Sequence, residues 1–198
     1  MIKTIKISTF CTLILLLTFT SNSFAYNDYS GLPVYRDGVF IGPIEVNWHA
    51  GLMYHENVKE YGYNAIIHIN GPGYDVEFCS YDDFLDGNDF MGVYAADDCT
   101  SNDRDDIRET ASDLTMQAIS YTFLNLLEYD DDPGTYINPS EIDKLRCDGV
   151  VEYCYEWNNV MIRDGDISKT SLVDDHSPLI GPRGQAMDYL EFIDSAAY

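Results

Sequence analysis

Two stretches rich in β-branched and aromatic residues, 46–54 (VNWHAGLMY) and 63–69 (YNAIIHI), flank a polar segment, HENVKEYG, that ends in Gly62. The pattern predicts a β-hairpin with a long loop and so commits the chain to an antiparallel sheet. Further strands are expected at Val39–Ile41, Tyr74–Tyr81 and Phe90–Ala95, separated by turn signals at Gly42-Pro43 and Gly71-Pro72-Gly73. Helical spacing of Ile107, Ala111, Leu114, Ala118 and Tyr121 predicts a helix from Asp105/Asp106 to about Tyr129. A second is expected from Ser140 to Trp157, breaking at Arg146–Gly149, and a short one over Gln185–Ile193. With no internal repeat and no low-complexity linker, the pattern is that of one α+β domain.

The first 25 residues stand apart from it. Lys3 and Lys6 precede an apolar run, Phe10–Phe19, too short to span a bilayer, and Ser23-Phe24-Ala25 has the small-x-small form of a cleavage site. Residues 1–25 therefore read as a signal peptide and 26–198 as the domain, secreted or periplasmic. Later stretches are not long and apolar enough for membrane insertion. The chain carries 11 Lys+Arg against 34 Asp+Glu, a formal charge of −23, and loses only the two lysines on cleavage. Such an acid excess argues against nucleic acid and anionic membrane surfaces as partners. Much of it lies in 82–132.

Export changes how the cysteines read. Cys11 lies within the apolar run, which leaves Cys79, Cys99, Cys147 and Cys154. Cys147 and Cys154 fall two helical turns apart, about 10 Å, which is too far for a bridge. Cys79 and Cys99 flank an acidic, loop-rich stretch, and their pairing stays open. Cys147 heads the interior stripe Val150, Val151, Cys154, Asn158. If a helix restarts there, its thiol meets unpaired backbone N–H groups at the positive dipole end. Those groups lower a thiol pKa, Arg146 helps and Asp148 opposes. The plain alternative is a buried structural cysteine.

Of the four histidines, His49 and His68 lie in the hairpin. A turn centred between Val58 and Lys59 makes paired positions sum to 117, which sets His49 opposite His68. Paired imidazoles suit a thiol: one takes the proton and the other fixes the tautomer. His55 falls in the loop and His176 in a polar tail, both read as surface residues.

The order Trp48-His49-Ala50-Gly51-Leu52-Met53-Tyr54, then Ile67-His68-Ile69, then Arg146-Cys147-Asp148-Gly149 resembles the circularly permuted NlpC-type papain-like cysteine hydrolases, a group whose relatives include lecithin:retinol acyltransferase-like proteins. The resemblance spans roughly residues 38–160. It implies a papain-like α+β fold, an antiparallel sheet packed against helices including the nucleophile helix. It also implies Cys147 as nucleophile, His49 as general base and His68 as orienting residue, with no cofactor. A peptide or cell-wall amide is the substrate class it suggests, with an N-acyl or lipid ester as alternative.

Rival constellations are poorer. His55-Glu56-Asn57-Val58-Lys59 has Lys where a zincin requires its second His. The acidic clusters Asp97/Asp98, Asp103/Asp105/Asp106 and Asp130–Asp132 lack the alternating spacing of a calcium loop. A non-catalytic secreted acidic domain, binding calcium or a partner on the same fold, is the second reading. Oligomeric state is not legible.

Overall fold

Strand β2 (Ile44–Met53) is the spine of the sheet, and its alternation sorts the chemistry onto two faces. Trp48, Ala50 and Leu52 enter one core cluster, together with Tyr35, Ile67, Cys147 and Val151. Met53 enters the other, with Val34, Ile66 and Phe84, and the His49 ring packs on Phe84 at 5.5 Å between centroids. The computed structural model describes residues 28–41, 44–55, 62–129, 136–163 and 181–196. The expected signal peptide, the loop centre at Val58/Lys59, Asp130–Asp132 and His176 lie outside these.

Among the described residues the main sheet has six strands, all antiparallel to their neighbours. Its order is β4 (Glu77–Cys79), β3 (Ile66–His68), β2, β1 (Pro33–Ile41), β5 (Phe90–Ala95) and β9 (Glu191–Asp194). The expected strand at Phe90–Ala95 is found with those bounds. The strand expected at Val39–Ile41 is the end of a longer one, and the strand expected over Tyr74–Tyr81 is shortened. After Cys79, Ser80 caps a helical turn, α1 (Tyr81–Leu85), by accepting from the Asp83 N–H at 3.1 Å. That turn carries Phe84 under the sheet.

The acidic segment holds α2 (Ser101–Thr115). It starts before Asp105 because Thr100 and Asp103 form a reciprocal capping box. It also ends well before Tyr129. Beyond Thr115 the chain supplies β6 (Ser120–Tyr121) and β7 (Leu127–Tyr129), which sit on either side of β8 (Ile142–Leu145). Long-range pairing of these Tyr-, Thr- and Leu-containing stretches overrides the local helical spacing. Likewise, the helix expected from Ser140 is a 3-10 turn (Pro139–Glu141), then β8, and only then α3 (Cys147–Trp157). α3 lies against the Ala50/Leu52 face of β2. The helix expected over Gln185–Ile193 is α4 (Pro182–Tyr189) followed by β9. No helix among the described residues is long and apolar enough to cross a membrane.

Candidate active site

The hairpin register differs from the one expected. Leu52 pairs with Ile67 and Met53 with Ile66, so partners sum to 119 rather than 117, and His49 and His68 are diagonal neighbours. A slip of two keeps every side chain on its face, whereas a slip of one would have reversed them. The rings therefore still meet: His49 Nε2 lies 2.9 Å from His68 Nδ1, with the ring planes near perpendicular. Phe84 contacts both rings. Gly51 makes room for it, because a Cβ there would stand 2.9 Å from Phe84 Cε2 and 2.8 Å from Ile66 Cγ2.

Cys147 is the first residue of α3 and belongs to the core on the other face of β2. Its thiol reaches the strand itself, close enough for the N–H groups of Ala50 and Asp148 to favour its charged form. Why Ala50 has a free N–H follows from the ladder. Met53 N–H bonds toward β1 at Leu32, and Tyr54 N–H bonds toward β3 at Ala65. Alternation directs the Ala50 N–H to the β3 side, where the pairing of β3 with β2 has already stopped at Leu52. The thiol thus occupies the gap beside the peptide that joins His49 to Ala50. Among the hydrogen bonds of the described residues, none joins Cys147 directly to His49 or His68.

Electrostatics here are dominated by burial. Cys147, His49 and His68 are 5%, 3% and 2% exposed. Burial pushes the Cys147 thiol up to about 12, and Asp148 adds to the rise. The N–H of Ala50, the Arg146 charge and the N–H of Asp148 pull the other way without overcoming it. The sequence expectation of a lowered thiol pKa is corrected on this point: desolvation outweighs the helix terminus. Burial holds His49 well below the usual imidazole range, with His68 and Arg36 contributing. It brings His68 down to about 4, again helped by Arg36.

Arg36 is one of the residues that sequence reasoning missed. It sits opposite His49 in the β1–β2 register, and its charge adds to burial in keeping both imidazoles neutral. The Asp after the Cys, unexplained by sequence, is half of a buried ion pair. Arg146 Nε donates to Asp148 Oδ1 at 2.6 Å, and its second nitrogen donates to Oδ2 at 2.8 Å. Gln185, wholly buried on α4, braces the same helix end. Its Nε2 donates to the Asp148 carbonyl at 3.1 Å and to Glu152 at 2.5 Å, while its Oε1 accepts from Tyr35 at 2.8 Å. Nothing in the local sequence marks Arg36 or Gln185, because each acts on residues far along the chain.

A cleft of about 340 Å³ opens at His68 and is lined by Tyr74, Glu77, Asp82, Asp83 and Asp86. Other sequence candidates fall away from the site. His55 packs edge-on against Tyr54. Cys79, Cys99, Cys147 and Cys154 are all free thiols, so the pairing left open for Cys79 and Cys99 is not made. Among the described residues no three His, Cys, Asp or Glu side chains converge to hold a metal.

The neutral histidines predict a pH dependence. An imidazole with a depressed folded-state pKa binds fewer protons folded than unfolded once pH drops below the unfolded value near 6.5. Stability therefore falls from about pH 6.5 and levels off near pH 4 for His68, a loss of about 3 kcal/mol. Urea melts of the protein and of His68→Asn across this range measure it. A parallel pH profile for the variant would show that His68 is not the titrating group.

No family model matches the chain, and no curated protein and no solved structure is significantly similar to it. The chain is a mixed α+β protein with a buried histidine pair and a buried cysteine at the head of a helix.

Proposed function

We propose that residues 26–198 form an exported cysteine hydrolase of the permuted papain-like NlpC type, cleaving an amide through Cys147, His49 and His68. The observation that carries this reading is the 2.9 Å contact between His49 Nε2 and His68 Nδ1, with the Cys147 thiol near the N–H of Ala50, the next residue along the strand from His49. When His49 donates its Nε2 proton to His68, its Nδ1 is left as a base. His68 then carries its own proton on Nε2, the ring edge away from His49, and the charge on Asp83 favours the protonated ring. His49 takes the thiol proton as Sγ attacks the carbonyl. N–H groups in the first turn of α3 stabilise the oxyanion. The proton passes to the leaving amine, and water hydrolyses the thioester. Because burial keeps the resting thiol protonated, the base acts during attack rather than on a stored thiolate.

The acidic cleft at His68 favours neutral or cationic substrates such as a peptide or cell-wall amide, and repels strongly anionic ones. One observation favours a second reading. A 5%-exposed thiol with a raised pKa also suits a non-catalytic acidic binding domain that keeps the fold.

Alkylation by iodoacetamide separates the two. Cys147 of the folded protein is expected to react in preference to Cys154, which is wholly buried, and His49→Ala is expected to slow that reaction about tenfold or more. Peptide mapping by mass spectrometry reads both. An inert Cys147, or a rate indifferent to His49→Ala, would exclude the hydrolase.

A further inference from the structure

Edge strand β4 sets Glu77 directly opposite His68 on β3, so the two side chains share a face. After Cys79 the chain turns into α1, which adds Asp82 and Asp83. These three exposed carboxylates stand with His68 in the walls of the 340 Å³ cleft, and its described lining holds no lysine or arginine. The like charges act on one another: burial, Asp75 and Asp83 push the Glu77 carboxyl up. Asp86, also in the lining, interacts with the charge of Arg36.

Carboxylates alone define no ligand, but His68 adds a second requirement. It is 2% exposed and lines the same cleft. Its Nδ1 is committed to His49 Nε2 at 2.9 Å. Its other ring nitrogen, Nε2, has no hydrogen-bond partner among the described residues. Nor is it one of the buried polar atoms sealed from solvent, so it opens into the cleft. An occupant thus meets one buried ring nitrogen and carboxylates from two separate elements, with the half-exposed Tyr74 ring at the rim. An ammonium offers its donors from a single point. A guanidinium is a planar fork that can grip one carboxylate with two parallel N–H groups, keep others for a second carboxylate and an imidazole, and lay its face on an aromatic ring.

We propose that this cleft is a binding site for a guanidinium group, that of an arginine side chain, seated between Glu77 and Asp83 with one N–H donated to His68 Nε2. The occupant is an effector, because Cys147 is not in the cleft lining. Its consequence follows from the histidine pair. If Nε2 of His68 accepts, the His68 proton sits on Nδ1 and is donated to His49 Nε2. His49 then carries its own proton on Nδ1 and has no lone pair left to take one from Cys147. A bound arginine therefore holds the pair in its inactive tautomer. The binding site stands apart from the hydrolase reading, and the effect on Cys147 rests on it.

The test titrates the protein with the N-acetyl methylamides of arginine, lysine and citrulline, the last a neutral isostere of the first, and follows the imidazole nitrogens by ¹⁵N NMR. The arginine probe should move the His68 ring to its Nδ1–H form and bind about tenfold or more tighter than the citrulline probe. In Glu77→Gln/Asp83→Asn its affinity should fall by a similar factor. A thermal melt shows the variant folded, and the citrulline comparison needs no variant. Acylation by p-nitrophenyl acetate reads the consequence: the Cys147 thiol adds to the ester carbonyl and passes its proton to His49, p-nitrophenolate leaves, and a Cys147 thioester remains. Saturating arginine probe should slow this about threefold or more in the wild type. Equal binding of the citrulline probe, equal binding by the variant, or His68 nitrogens unmoved at saturation overturns the site. A lysine probe that binds as tightly overturns the guanidinium assignment. Binding without slowing overturns the tautomer effect. If neither the ester nor iodoacetamide modifies Cys147 in the absence of probe, the hydrolase reading falls and the tautomer effect with it, while the binding arms still decide the site.

Discussion

Replacing Cys147 with Ser is expected to lower ester or amide turnover by about 10³-fold or more while leaving the fold intact. The two side chains differ little in volume, and a hydroxyl can accept from the same Ala50 and Asp148 N–H groups that hold the thiol. Chemistry is what changes. A serine hydroxyl is a much weaker acid than a thiol, and His49, depressed by burial and by Arg36, is a weak base. The pair that manages proton transfer from sulfur cannot manage it from oxygen. Cys154→Ala, a change seven residues along the same helix and remote from the histidines, serves as the control and should retain activity per folded molecule. Release of p-nitrophenolate measures both. Full turnover by Cys147→Ser would make Cys147 a packing residue and end the hydrolase reading.

Replacing Arg146 with Ala is expected to destabilise the fold by about 3–5 kcal/mol. Asp148 is completely buried and Arg146 nearly so, and their two bonds are at 2.6 and 2.8 Å. Without the guanidinium, the carboxylate loses its counter-charge in a place where water cannot replace it. The α3 N-terminus softens this but does not neutralise it. The informative companion is Arg146→Leu/Asp148→Leu, which removes both charges and should recover most of the loss, since the cost lies in the orphaned charge rather than in the missing pair. Urea melts of the three proteins decide this. A single variant within about 0.5 kcal/mol of wild type would mean that the pair is dispensable.

Arg146 and Asp148 also show where sequence reasoning stops. Read along the chain, they are opposing influences on a neighbouring thiol. In the fold they satisfy one another, and Cys147 is left mainly with the cost of desolvation. The long helix to Tyr129 failed for a related reason: the spacing of Ile107, Ala111 and Leu114 continues through Ala118 and Tyr121, and only the presence of β8 between β6 and β7 makes extended backbone the better partner there.

What the sequence determined by itself is what strand and helix periods determine. His49 and His68 share a face of the hairpin because their positions sum to an odd number, which survives a two-residue error in the turn. Cys147 heads the helically spaced stripe Val150, Val151 and Cys154, and α3 starts there. Tertiary structure decided everything that depends on neighbours distant in the chain. It placed Arg36 opposite His49, Phe84 over both rings and Gln185 against the first turn of α3. It ended β3 where the Ala50 N–H needed another acceptor. It also set the protonation states, because burial is the sum of what the whole chain packs around a group, and no local pattern carries that sum.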